Sequence, residues 1–266
     1  MFLDANMAAK EPVYIFHLFR RDGKALILNP FASPEKLLAH LEQGNVQGRY
    51  GKEPRVESLT LFRNELYRMI EAAVKNWVSD MRFIPKFLIS TAVFLVGYFV
   101  LSYVIRDPIP VIDEIAVALG AAIIIYILLG RRDMSSDRAM KKRVALRTIV
   151  DRIQFRESDF VKRVEQTLYK NESEEIERVV RSIVTPEQQQ LGSPDRQELS
   201  QFLRLLENQF NFRRLKREEK VLKRYVEDSQ TGHGSSSLRK WAASKNLDFP
   251  LYAVYKCFKQ TVTNSK

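Results

Sequence analysis

Phe83-Ile-Pro-Lys-Phe-Leu-Ile-Ser-Thr-Ala-Val-Phe-Leu-Val-Gly-Tyr-Phe-Val-Leu-Ser-Tyr-Val-Ile105 is a run of 23 residues with one charge, Lys86, near its start. A bilayer core about 30 Å thick needs roughly 20 helical residues at about 1.5 Å each, so the run is long enough to span. Pro85 suits a first helical turn, where its missing N–H is not needed. Lys86 can carry its ammonium back to the headgroups. A second run extends from Ile109 to Gly130 and is followed at once by Arg131-Arg132. The link Arg106-Asp-Pro-Ile-Pro110 holds two prolines, which stop helix continuation. The two runs therefore predict a transmembrane helical hairpin over 83–130, with spans at about 83–105 and 109–130. Neither run has the position or flanks of a cleaved signal peptide.

The flanks orient the hairpin. Arg68, Lys75 and Arg82 precede the first span, and residues 131–147 hold seven basic and two acidic residues. The turn offers one basic residue, Arg106. The positive-inside rule then places both termini in the cytoplasm, in a cytoplasmic (inner) membrane. The lone cysteine, Cys257, excludes an intrachain disulfide and fits a reducing compartment. Gly97 in the first span and Ala116-x-x-x-Gly120 and Ala118-x-x-x-Ala122 in the second are small enough for close helix packing, within one hairpin or between copies. Arg131, Arg132, Arg138, Lys141, Lys142 and Arg143 adjoin the membrane and are the expected contacts to anionic headgroups.

Outside the spans the pattern is mixed. Val13–Phe19 and Ala25–Leu28 are rich in strand formers, and Arg20-Arg-Asp-Gly23 between them supplies a turn, so they predict a β-hairpin. Ser33 can cap a helix over Pro34–Gln43 that Gly44 ends. Residues 57–80 repeat apolar side chains (Leu59, Phe62, Leu66, Met69, Ala73, Trp77) at spacings of three and four, an amphipathic helix leading into the first span. After the second span a helix is expected to continue to about Phe155. Further helices are predicted at 158–170, 173–184, 195–227 (with a bend), 237–245 and 249–262. Gly192-Ser-Pro194 reads as a linker and 228–236 as a break. Strand signals are absent after residue 30.

The expected fold is thus a mainly α membrane protein. It has an α+β cytosolic region over 1–82, the hairpin over 83–130, basic juxtamembrane helices over 131–184, and a helical region over 185–266 that leaves the C-terminal part all-α.

Few motifs carry chemistry. Asp113 and Glu114 open the second span. Acids inside a span are costly and mark ion paths, and a ring of them from several copies can select cations. They also suit a helix N-terminus, where the macrodipole favours anions. Two spans, a short acidic turn and termini on one side resemble the mitochondrial calcium uniporter family in topology. That family's Trp-Asp-x-x-Glu-Pro puts two carboxylates on one helical face. Here the acids are adjacent, and the Trp and following Pro are missing. The Gly-Met-Asn signature of magnesium channels is also absent.

Gly44, Gly48 and Gly51-Lys52 lack the spacing and the Ser/Thr of a phosphate loop, with Glu53 in its place, and read as an ordinary loop. Residues 238–255 loosely resemble a helix-turn-helix. Residues 131–266 carry 29 basic and 19 acidic residues, so +10 of the net +11 lies there, a charge that attracts lipid headgroups or nucleic acid. Three scattered histidines give no metal spacing, and no nucleophile–base pattern or dinucleotide fingerprint occurs. The expectation is a non-enzymatic, cofactor-free, two-pass membrane-anchored scaffold or adaptor. It would assemble with itself or hold a cytosolic protein partner. The alternatives are a small oligomeric cation channel or transporter and a membrane-tethered nucleic-acid binder.

Overall fold

The computed structural model describes residues 12–104, 112–186, 196–210, 212–228, 240 and 247–264. In order these form β1 (Val13–Phe19), β2 (Ala25–Leu28), α1 (Pro34–Gln43), β3 (Val46–Tyr50), α2 (Val56–Val104), α3 (Ile112–Met134), α4 (Asp137–Asp151), β4 (Phe155–Glu157), α5 (Asp159–Ser173), α6 (Ile176–Val184), α7 (Arg196–Gln209), α8 (Phe212–Asp228) and α9 (Phe249–Asn264). The chain divides into two compact units. One contains the described residues up to Ala32, Gln43–Leu61, and the described residues from Ile153 onward. The other contains Ser33–Glu42 and Phe62–Arg152.

The first unit is a mixed four-stranded sheet, order β2-β1-β3-β4, covered by the C-terminal helices. The β1–β2 pair is the expected antiparallel hairpin, while β3 joins β1 and β4 joins β3 in parallel. Two expectations are corrected here: residues 46–50 are a strand rather than a loop, and the C-terminal part is not all-α. Phe155-Arg-Glu157 is too short to carry a period-two pattern, and in Val46-Gln-Gly-Arg-Tyr50 the alternation of Val46 and Tyr50 with Gln47 and Arg49 is weakened by Gly48 at its centre. Their strand conformation comes from pairing, β3 with β1 and β4 with β3, a non-local cause. Gly48 also admits the register, because a Cβ there would sit 2.4 Å from the Phe155 ring.

On one face of β1, Tyr14, Phe16 and Leu18 enter a core shared with α5, α6, α7, α8 and α9. Its centre is aromatic. Phe160 meets Phe16, Phe202 and Phe258 edge-on, with centroids 6.4, 5.4 and 5.6 Å away, so β1, α5, α7 and α9 converge on one ring.

The other face of β1 buries Ile15 and His17 completely. Ser58 donates its hydroxyl to the Arg55 carbonyl (2.8 Å), so His17 Nε2–H must donate to Ser58 Oγ (3.1 Å). Nδ1 is then a buried acceptor without a hydrogen bond. Burial holds the His17 pKa down to about 4. Since an unfolded histidine titrates near 6.5, neutral His17 contributes stability above that pH, and this is lost as pH falls toward about 4. The ceiling is about 3 kcal/mol. Urea midpoints between pH 7 and pH 4 are expected to fall more steeply in the wild type than in His17→Phe. Parallel curves would show that the imidazole is not held neutral.

The second unit differs from expectation at its helix boundaries. The predicted amphipathic helix and first span fuse into α2, so Pro85 lies inside a helix rather than at its start. Its ring removes the donor that the Met81 carbonyl would use, and the helix passes through without it. The amphipathic stripe below Pro85 and the continuous apolar run above it both favour helix, which outweighs one lost bond. The predicted helix to Phe155 instead breaks after Met134, where Ser136 accepts from the Ala139 N–H and starts α4. In the first unit the predicted 195–227 helix likewise divides into α7 and α8 around Phe210. α5 runs to Ser173, so the helix predicted from 173 begins at Ile176. The prolines of the 106–110 link, the linker at 192–194, the 228–236 break and, apart from helical Lys240, the 237–245 helix lie outside the described residues.

Candidate functional site

α2 and α3 are long and apolar enough to cross a membrane. They form one antiparallel pair that α4 extends. Each contact moves down one helix as it moves up the other. Gly97 faces Ala118, where a Cβ on the glycine would lie 3.6 Å from that of Ala118. Lys86 pairs with Asp133 at 3.4 Å, and its ammonium would be 3.9 Å from a Cβ on Gly130. Lys142 lies over the Trp77 ring at 5.3 Å. Glu71 receives Arg143 and Arg147 at 2.9 Å each. Tyr67 donates to Asp151. α1 joins this stalk through Glu35, which accepts from Asn76 Nδ2 at 2.8 Å, and through Glu42, paired with Lys142.

The seam sorts the small residues. Ala118 and Ala122 are buried in it, while Gly120 has open space where a Cβ would be and Ala116 is exposed. Of the two small-residue pairs legible in the sequence, the structure uses Ala118 and Ala122 with Gly97 and leaves Ala116 and Gly120 outside the seam. Large apolar side chains on the remaining faces stand exposed, Phe99 at 66% and Val117 at 61% among them.

The basic flank is also sorted. Arg131, Arg132, Arg138 and Lys141 are exposed. Lys142 and Arg143 are instead committed to Glu42 and Glu71, and Arg143 donates to the Met134 carbonyl as well. Lys86 also has a partner in the seam. It is 7% exposed and turned toward Asp133, with Arg82 4.0 Å from the same carboxylate. This is cheaper than leaving a lone ammonium among apolar side chains. Asp113 and Glu114 occupy the first turn of α3, with Asp113 exposed. Among the described residues no group of three or more His, Cys, Asp or Glu side chains could hold a metal ion.

The first unit holds polar residues that sequence reading passed over. Glu198 on α7 pairs with Arg49 on β3 and accepts from Ser158 Oγ (2.9 Å) at the entrance to α5. Glu165 on α5 accepts from the Phe19 N–H (2.9 Å) and the Lys52 N–H. It thereby ties the C-terminal ends of β1 and β3 to one helix. A Cβ on Gly51 would lie 2.5 Å from its carboxylate, so only glycine permits this approach. Burial pushes the Glu165 carboxyl up. The one available signal was Gly51 next to Lys52 at the end of a strand that could not be read from the sequence.

No protein-family model, no curated protein and no solved structure matches this chain.

Proposed function

We propose that the protein is a two-pass membrane anchor whose hairpin holds the sheet-containing unit on the cytosolic face of a cytoplasmic membrane. That unit acts as a scaffold for a protein partner or a second copy. One observation carries the topology: β3 and β4 are hydrogen-bonded neighbours, yet α2, α3 and α4 lie between them in sequence. A chain segment that leaves one sheet and returns to it must cross any bilayer an even number of times. Two spans meet that requirement, independently of loop charge. The exposed apolar faces of α2 and α3 support lipid as their surroundings, since soluble monomers seldom expose contiguous apolar patches above a few hundred Å². Exposed Arg131, Arg132, Arg138 and Lys141 support an anionic cytosolic leaflet beside them. Asp113 and Glu114 act in this reading as first-turn acids that complement the α3 dipole.

The test uses single cysteines introduced at Arg106, Lys141 and Asp22 in a Cys257→Ser background. In intact spheroplasts an impermeant maleimide is expected to label position 106 only, with 141 and 22 labelled after permeabilisation. Labelling of position 141 from outside, or release of the protein by alkaline carbonate, would overturn the anchor. For the scaffold role, the detergent-extracted protein is expected to have a native protein mass above the 31.0 kDa protomer. A bare monomer with nothing co-purifying would remove that role and leave the anchor standing.

A further inference from the structure

At the C-terminal ends of the parallel strands β1 and β3 lies a cleft of about 520 Å³ lined by Phe19, Arg20, Arg21 and Gly23 from one connection, Lys52, Glu53 and Arg55 from the other, and Tyr169 and Ser173 from α5. The carboxyl ends of parallel strands are where open sheets place their ligands. We propose that this cleft binds a small phosphate-bearing anion through Arg21, Lys52 and Arg55.

The charges around the cleft divide into those already paired and those left to face it. Arg20 is consumed: its Nε lies 2.7 Å from Glu172 and its Nη1 2.8 Å from Asp248. Glu172 is turned the same way, accepting the Arg21 N–H as well at 2.7 Å. Glu165 is 4% exposed, with its oxygens on the backbone N–H groups of Phe19 and Lys52, so it faces the strand ends rather than the opening. The Lys52 ammonium also acts on the Glu165 carboxylate, and Glu53 is the acid lining the cleft against the exposed Arg21, Lys52 and Arg55.

Arg55 reaches across to the opposite wall. Its guanidinium would lie 3.8 Å from a Cβ on Gly23, so cations from the two strand ends converge over one space. Ser173 spends its proton on the Tyr169 carbonyl (2.6 Å) and is no donor to a ligand. The Tyr169 hydroxyl, whose pKa burial raises, stays protonated and can donate. Two guanidinium forks and an ammonium match phosphate oxygens in geometry and charge. The volume lies in the range of small-molecule sites. Glu53 at the rim suits a ligand that carries hydroxyl or amino groups beside its phosphate.

The anion could be a soluble phosphate ester or the headgroup of a phospholipid, and the experiment separates them. Full-length protein in phosphatidylcholine nanodiscs is titrated with inorganic pyrophosphate by calorimetry. One saturable site is expected. It should weaken about tenfold or more in Lys52→Gln/Arg55→Gln and be unchanged in Lys220→Gln/Arg224→Gln, which alters the exposed basic face of α8 instead. All four side chains are exposed, so both double variants should keep the wild-type circular dichroism and thermal midpoint. Repeating the titration in discs containing phosphatidic acid assigns the source. Loss of pyrophosphate binding by competition means a lipid headgroup, and unchanged affinity means a soluble ester. Absence of a saturable site, or equal weakening by the α8 variant, would overturn the proposal.

Discussion

Replacing Glu198 with alanine is expected to lower the unfolding free energy of the sheet-containing unit by about 3–5 kcal/mol, the usual cost of stripping one partner from a buried ion pair. Glu198 is 4% exposed and the Arg49 side chain 16%. Without the carboxylate, Arg49 keeps its position over the Tyr14 ring, 4.9 Å from the centroid, but no counter-charge among the described residues. Ser158, which also caps α5 by accepting from the Val161 N–H, loses its acceptor at the same time. The change therefore loosens β3, the start of α5 and α7 together. Pulse proteolysis in urea on the detergent-solubilised protein reads the loss directly. Glu198→Gln should fall between wild type and alanine, because it keeps a hydrogen-bonding oxygen without the charge. Pairing Glu198→Ala with Arg49→Met should recover part of the deficit, since no buried charge is then left alone. A drop under about 1 kcal/mol for Glu198→Ala would mean that water reaches the pair and the burial argument is wrong.

Phe160→Ala should cost a similar amount, about 3–5 kcal/mol, by a different mechanism. Phe160 is fully buried and meets three other rings edge-on, from β1, α7 and α9. Truncation removes the transfer free energy of the ring and leaves a cavity whose walls belong to four elements, so it cannot collapse by shifting one of them. Phe160→Leu should retain more than half of the lost stability by filling much of the space. The same urea assay, run beside a truncation at exposed Val221 as control, separates core loss from a general effect of shortening a side chain. Equal midpoints for the two truncations would show that the aromatic cluster is not the centre of this core.

The two changes also test how the first unit is joined. Phe16, Arg49 and Tyr14 come from the chain before α2, whereas Phe160, Glu198 and Phe202 come from the chain after α4. If the parts on either side of the hairpin folded separately, neither substitution would affect proteolysis of the β1–β2 hairpin. Cleavage there in both variants is the expected sign of a shared core.

Local chemistry decided most of the elements that could be read in advance. The β1–β2 hairpin follows from strand formers flanking an Asp-Gly turn. α1 lies between Ser33 and Gly44, whose φ of +71° ends it. The two apolar helices follow from length and composition, and α5 and α9 from apolar spacing. Each signal lies within a few residues of the structure it forms, so no partner is needed to read it. What failed lacked a local cause. β3 is a strand because β1 offers an edge, and β4 because β3 then offers the next. Pro85 looks like a boundary, but the stripe of Phe62, Leu66, Ile70, Ala73, Val74 and Val78 below it and the apolar run above it favour one helix.

Among the site residues, Gly97 was legible because small side chains permit close approach, but the choice of Ala118 and Ala122 over Ala116 and Gly120 depends on helix rotation. Lys142 and Arg143 look like Arg131 and Arg132 in sequence, and only the positions of Glu42 and Glu71 distinguish them. Glu165 and Glu198 carry no sequence mark at all, because acids are ordinarily solvent-exposed. Their partners lie 146 and 149 residues away.

The sequence by itself determined where the apolar helices and the first hairpin lie, because hydropathy and turn preference act over single turns of chain. Only the tertiary structure decided that the chain before and after those helices completes one sheet, and which charges are spent and which remain free. Both depend on pairing between residues far apart in the chain, from 40 residues for Ser158 and Glu198 to 228 for Arg20 and Asp248, and a carboxylate has no preferred guanidinium until folding brings one within reach.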